Sequence, residues 1–314
     1  MKKWVKTCLI AGVSCTVAGA VLVCIGSFSG GKNYVRTADL NHFSASATYD
    51  KNSSILRKTQ IEDYHNLDIN LDMLDLNVVC SNDKHFYISY EAQSKNQKPA
   101  VTYSVENDTL TLKETTATKG SYIHIDVDFL ADLLSNGKEP QSKNVVTLYV
   151  PENTYIKDLK LHSDMSNVSL SSLAVSSGSI QTSSGDITVD DCTISQVNLS
   201  SDMGDVTIND SELNTCHFSS GSGDFVFTDT TLKGNTEITS DMGEINITGP
   251  AEILTKLAIQ VTTDMGDIDV SKQLNGKVMN NESDSIRTFE QKVEKATDSL
   301  AIETNSGDIT LECK

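Results

Sequence analysis

From residue 66 onward the apolar residues recur at every second position in short runs, separated by Gly, Asp, Asn and Ser. Such alternation places one face of a strand against a core and the other in solvent. It predicts strands over residues 66–79, 86–91, 101–105, 109–113 and 144–150. Between them, residues 115–143 read as a long excursion with a short helical pattern around 129–134. No other segment carries a convincing helical period.

Beyond residue 160 the alternation becomes a repeat. Ser184-Gly185-Asp186-Ile187 returns as Met203-Gly204-Asp205-Val206, Ser222-Gly223-Asp224-Phe225 and Met242-Gly243-Glu244-Ile245. Met265-Gly266-Asp267-Ile268 and Ser306-Gly307-Asp308-Ile309 follow, and Ser166 holds the glycine place in Met165-Ser166-Asn167-Val168. The steps between these central positions are 19, 19, 19, 20, 23 and 41 residues. Two and four places after the glycine stand apolar residues, as in Val206 and Ile208. Five places before it stands another, as in Leu199, and three before it always a small hydroxyl, as in Ser201. A further apolar pair lies seven and nine places on, as in Cys192 and Ile194.

A recurrence this short and this regular marks a stacked architecture. Each coil holds about three short strands joined by tight corners, the glycine interrupting the alternation at one of them. A lone coil cannot cover its apolar residues, but a second one ~4.8 Å away pairs the backbone and completes the core. Each inward Ile or Val then contributes about 1.5–3 kcal/mol. The expected fold class is all-β: a β-solenoid resembling a single-stranded β-helix with ~19-residue coils, over residues 161–314. Residues 61–160 form a β-rich N-terminal part. Leu67, Ile69, Leu76 and Val78 fit the apolar columns if Leu74 takes the glycine place. That puts a first coil near residue 74, with residues 80–158 inserted. The final 41-residue step hides about two coils, with residues 272–299 as an irregular rung or a protruding loop.

Residues 1–31 differ in character from all that follow. Lys2, Lys3 and Lys6 precede an uncharged stretch, and residues 7–28 would span ~33 Å as a helix. The expectation is one N-terminal transmembrane helix, the lysines cytoplasmic and the remainder extracytoplasmic, at the cell membrane. A cleaved signal peptide is the alternative, Ser27-Phe28-Ser29 offering a small-x-small site. Residues 32–60, polar and without period, read as a stalk. Past the anchor, 22 bases face 43 acids. This excess excludes nucleic acid, which needs clustered Lys and Arg, and permits cationic peptides or basic protein surfaces. Four cysteines follow the anchor, Cys80, Cys192, Cys216 and Cys313. An even number outside a membrane invites disulfides, but the favoured reading is small inward-facing residues.

The acids form columns. One place after the glycine stand Asp186, Asp205, Asp224, Glu244, Asp267 and Asp308, and two before it Asp164, Asp202, Asp241 and Asp264. Stacked carboxylates repel, and two devices relieve them: bound calcium, or turn chemistry in which Asp accepts from nearby backbone N–H groups. The histidines are scattered without zinc-like spacing, no serine lies in a Gly-x-Ser-x-Gly elbow, and arginines are few. No catalytic, cofactor-binding or metal residue is therefore assigned, and no cofactor is expected.

With these motifs in view, the chain resembles the bacterial putative-adhesin family of unknown function with β-strand repeats. The carriers are the Ser-Gly-Asp-Ile units at 184–187 and 306–309, their Met-Gly-Asp variants, the strand pair at 66–78, and the strand at 145–151 ending in Val-Pro. The resemblance covers roughly residues 60–314 and implies an envelope-exposed β-solenoid with no catalytic residues to carry over. The expected function is a non-enzymatic, membrane-anchored surface protein, an adhesin or envelope scaffold, whose partners are the membrane, envelope proteins, cationic peptides or host surface ligands. Two alternatives stay open: an accessory sensor of an envelope-stress or signalling system, and a polysaccharide-active enzyme. The inward assignment is tested by Ile208→Asp, which buries an unpaired charge in the stack. It should cost about 4 kcal/mol or more, read as a large drop in thermal melting.

Overall fold

The computed structural model describes residues 53–81, 83–94, 98–116, 118, 144–280 and 285–314. The apolar stretch at 7–28, the first part of the expected stalk and the helical pattern at 129–134 lie outside these residues. Among the described residues no helix is long and apolar enough to cross a membrane.

One coil shows how the repeat folds. Val197–Met203 runs along one face, the chain bends at Gly204, and Val206–Asn209 runs along a second. Asp210 turns the next corner in the left-handed region at φ 47°, Glu212–Asn214 forms the third face, and Thr215 at φ 56° turns back. The left-handed corner recurs at Ser172, Asp191 and Asp229. Asp and Asn tolerate that conformation better than most residues. The next coil repeats the path in parallel: Leu199 lies beside Phe218, Val206 beside Phe225, Leu213 beside Leu232. The faces thus become three sheets of 11, 5 and 12 strands.

The inward rows are those the period predicts. Ile187, Val206, Ile208 and Phe225 are fully buried, as are Ile245 and Ile309. Phe218, Phe225 and Phe227 pack edge-on with centroids 5.2 to 6.4 Å apart, filling two adjoining faces from inside. Cys192 and Cys216 are inward-facing free thiols, and Cys80 and Cys313 are half-buried and also free. Burial pushes the Cys192 thiol up to about 11, which leaves it protonated and inert at neutral pH.

The two ends depart from the period. A first coil does form at residue 74. Asn66–Leu71 and Asp75–Ser81 lie against the coil of Asp158–Met165 and Val168–Ser171. On their other side sits an outer rung made from the insertion, Thr109–Glu114 and Val145–Pro151. Antiparallel strands then close that end: Val101–Glu106 on one sheet, Tyr87–Gln93 and then Ser53–Gln60 on the other. The hairpin of 101–114 turns on Asn107 and Asp108, both left-handed, the geometry that a two-residue β-turn requires. Residues 53–60 are therefore an edge strand rather than the end of a stalk. That strand buries almost no apolar side chain and is held by backbone pairing, so it has no hydrophobic alternation to betray it.

At the C-terminal end the final step does not hold two regular coils, and the irregular rung expected within residues 272–299 is an antiparallel strand pair. Gly276–Asn280 pairs antiparallel with Arg287–Gln291, which lies on the edge of Ala258–Met265. The coils also stack out of order. Ser299–Ser306 pairs with both Asn235–Met242 and Ala258–Met265, and Ile309–Cys313 with both Ile245–Gly249 and Ile268–Val270. The last coil in sequence thus slots between the two before it. A short helix, Ala251–Leu254, carries the chain past the open slot. Buried Gln291 ties the parts together: its amide donates to the carbonyls of Leu254 (3.0 Å) and Leu257 (2.9 Å) and accepts from the Asn275 N–H (2.7 Å).

Removing residues 299–314 should therefore unmake more than a tail. Leu300, Ile302, Ile309 and Leu311 are all buried. At 1.5–3 kcal/mol each they represent about 6–12 kcal/mol, comparable to a whole domain's stability. A chain ending at Asp298 should become protease-sensitive from residue 250 onward, with the coils of 158–228 still protected in limited proteolysis.

Candidate binding surface

The bend at the glycine column lays out the surface rows. Gly204 adopts φ 127°, and a Cβ there would stand 2.3 Å from the Gly185 carbonyl oxygen. At Gly185, Gly223, Gly243, Gly266 and Gly307 a Cβ would likewise stand 1.9 to 2.3 Å from a carbonyl oxygen, so these bends lie closer than a side chain allows. At the N-terminal end the bend is built differently. Leu74 is buried in the glycine place, and the N–H groups of Asp72, Met73 and Leu74 all donate to one Glu114 carboxylate oxygen, at 2.8, 2.8 and 3.1 Å.

The acid column after the glycine is a hydrogen-bonded ladder. Asp186 accepts from the Asp205 N–H (3.0 Å), Asp205 from Asp224 (2.8 Å) and Asp224 from Glu244 (2.7 Å). On the inserted coil Asp308 accepts in the same way from the Asp267 N–H (2.7 Å). At the other end Asp75 accepts from Asn167, and the Asn167 amide oxygen from Asp186, each at 2.9 Å. The turn chemistry expected of these residues is thus present, but each side chain serves the next coil's bend and not its own. Magnitudes decide the balance. Two exposed charges ~4.8 Å apart repel by about 0.9 kcal/mol in water before salt screens them. A hydrogen bond from N–H to a carboxylate contributes about 1.5–3 kcal/mol. The ladder needs no ion to hold it, and among the described residues no three His, Cys, Asp or Glu side chains converge on a metal position.

Ion pairs border this surface. His162 meets Asp164 at 3.3 Å, and Arg287 pairs with Asp267. Between them Asp186, Asp205, Asp224 and Glu244 have no cationic partner among the described residues. Other histidines that look scattered in sequence also find carboxylates: His217 with Glu237 at 3.1 Å, and His65 with Asp108 at 2.6 Å. His65 first, and Lys157 at 2.9 Å second, hold the Asp108 carboxyl below its ordinary range.

Beside the ladder, on the outer face of the 11-stranded sheet, lies a groove of about 830 Å³ lined by Asp75, Glu91, Thr147, Tyr149, Asp186 and Thr188. Nearby, the Lys58 ammonium lies 4.5 Å from the ring centroids of both Tyr87 and Tyr149. The groove offers hydroxyls and carboxylates on a rigid floor, the chemistry of a polar or cationic ligand. One further row runs against the period. The residue before the bend has the parity of an inward position, yet Met203 is 57% exposed because the chain leaves the core there.

Parallel coils in register, with all their chemistry on outward rows, define a capped β-solenoid that presents repeated surfaces. Within that class the chain belongs to the Toastrack DUF4097 family, whose model matches residues 64–312. This is the bacterial putative-adhesin family of unknown function whose repeat motifs the chain carries. Similar solved structures include a putative adhesin from Bacteroides fragilis, 12% identical, covering 83% of this chain and 97% of that one, with a TM-score of 0.44. A putative cell adhesion protein from Clostridium sporogenes is also 12% identical, with 83% and 99% covered and a TM-score of 0.31. A putative lipid binding protein from Parabacteroides distasonis is 13% identical, with 84% and 95% covered and a TM-score of 0.30. No curated protein matches the chain.

The ladder makes a sharp pair of substitutions. Asp205→Ala strands the Asp224 N–H and should lower stability by about 1–3 kcal/mol. Asp205→Asn keeps an acceptor, as Asn167 does at its own bend, and should cost under about 1 kcal/mol in urea unfolding.

Proposed function

We propose that this chain is a non-enzymatic surface protein that holds a rigid, periodic, acidic solenoid outside the cell membrane and binds basic partners through it. The observation that carries the reading is the ladder itself. Each carboxylate from Asp186 to Asp224 is fixed by the next coil's N–H, so like charges recur at one strand spacing along a face that cannot rearrange. Repeated weak contacts at fixed spacing favour multivalent attachment. The net charge of -18 directs that attachment towards cations. The apolar stretch of residues 7–28, with three lysines before it, supports a membrane tether with the solenoid outside.

A C-terminally tagged full chain tests this in two steps. External protease added to intact cells should remove the tag while a cytoplasmic control survives and the N-terminal part stays in the membrane fraction. Crosslinking on those cells should then capture a basic partner, and Asp186, Asp205 and Asp224 changed together to Asn should reduce the yield severalfold. A protected tag, or capture indifferent to the three substitutions, overturns the reading.

A further inference from the structure

The residue before each bend forms a column of its own. Register places Met165 beside Ser184, Ser184 beside Met203, Met203 beside Ser222, and Ser222 beside Met242. The inserted coil then puts Ser306 between Met242 and Met265. In sequence order Met242 is followed by Met265, two methionines in succession. In space Ser306 separates them, and Met–Ser alternation runs over the seven coils from Met165 to Met265; Met73, before the Leu74 bend of the first coil, adds a further exposed methionine next to Met165. The pattern therefore follows the folded surface and not the chain period. Met165, Met203, Met242 and Met265 are 57% to 65% exposed and Met73 37%, though large apolar side chains ordinarily seek the core. Aspartates precede them at positions such as Asp202, and the ladder follows at Asp205 and its equivalents.

We infer that this methionine column is the apolar anchor row of a binding site for an extended, basic, polyproline II segment lying along the solenoid axis. The inference rests on the surface-binding reading above and names the partner's chemistry. Thioether side chains are adaptable apolar contacts, and the flanking acid rows supply the complement to Lys or Arg. Spacing selects the conformation. Methionines on every second coil recur each ~9.6 Å. Polyproline II brings every third residue to one face each ~9.3 Å. A helical heptad recurs each ~10.5 Å and slips by about 2.7 Å over the three intervals, against about 0.9 Å for polyproline II. Charge disfavours the other occupants: a second copy carries the same -18, and anionic headgroups would be repelled by the same acid rows.

The test uses the full chain in nanodiscs of zwitterionic lipid, with empty discs as control. The probes are two fluorescein-labelled peptides of equal charge, five repeats of Pro-Leu-Lys and five of Pro-Ser-Lys. The native chain should bind the leucine peptide at least tenfold more tightly by anisotropy, and added salt should weaken both. Changing Met165, Met203, Met242 and Met265 together to Ser should erase that preference and leave thermal melting unchanged, since Ser already occupies the alternate coils. Met203→Ser with Met242→Ser serves if the fourfold variant melts early, and should cut the preference at least threefold. A native chain that does not distinguish the peptides, or variants that still do, overturns the inference. Surface exposure and crosslinking to a basic partner would in that case still stand.

Discussion

A single coil has no partner for its own amides, and every feature of this molecule follows from that. Backbone groups, inward side chains and corner residues are all completed by the coils above and below. The glycine column exists because bends must approach until a carbonyl lies 2.3 Å from where a Cβ would stand. The acid ladder exists because the N–H beside each bend needs an acceptor, and the neighbouring Asp supplies one. Even the exceptions obey the rule: where Leu74 replaces the glycine, Glu114 takes up the three orphaned amides.

That rule also explains what the amino-acid sequence discloses. Stacking in register forces like residues to recur at equal intervals, so Leu199, Ser201, Gly204, Val206 and Ile208 announce their coil and its inward face. The ends carry no such constraint. Ser53–Gln60 is held by main-chain pairing on one edge and leaves no apolar signature. The strand pair Gly276–Asn280 and Arg287–Gln291 is recognised only through Gln291 and Phe289 packing against other elements. The insertion of 299–313 between earlier coils is invisible to periodicity, since its residues match the columns equally well in any slot.

The candidate surface was legible to a similar degree. The acid columns stand out by spacing, and so does the turn chemistry that explains them. Which amide each carboxylate serves could not be read, because the bond leaves its own coil and is made to the next one. The methionine column was hidden for a different reason. At offset minus one it has the parity of an inward residue, and only the bend at the glycine turns it outward.

The slot filled by residues 299–313 has a temporal side. Coils from 158 to 249 can dock one upon another as they are synthesised, each closing a loop no longer than itself. The final coil must wait for some 64 residues to pass before it finds Asn235–Met242. By loop-length scaling the added entropy is only about 1 kcal/mol, so the delay is one of sequence and not of energy. Ser299–Cys313 acts as a keystone: until it arrives, the span of 258–270 lacks its parallel neighbour, and this end is locked only by residues made after the coils they join.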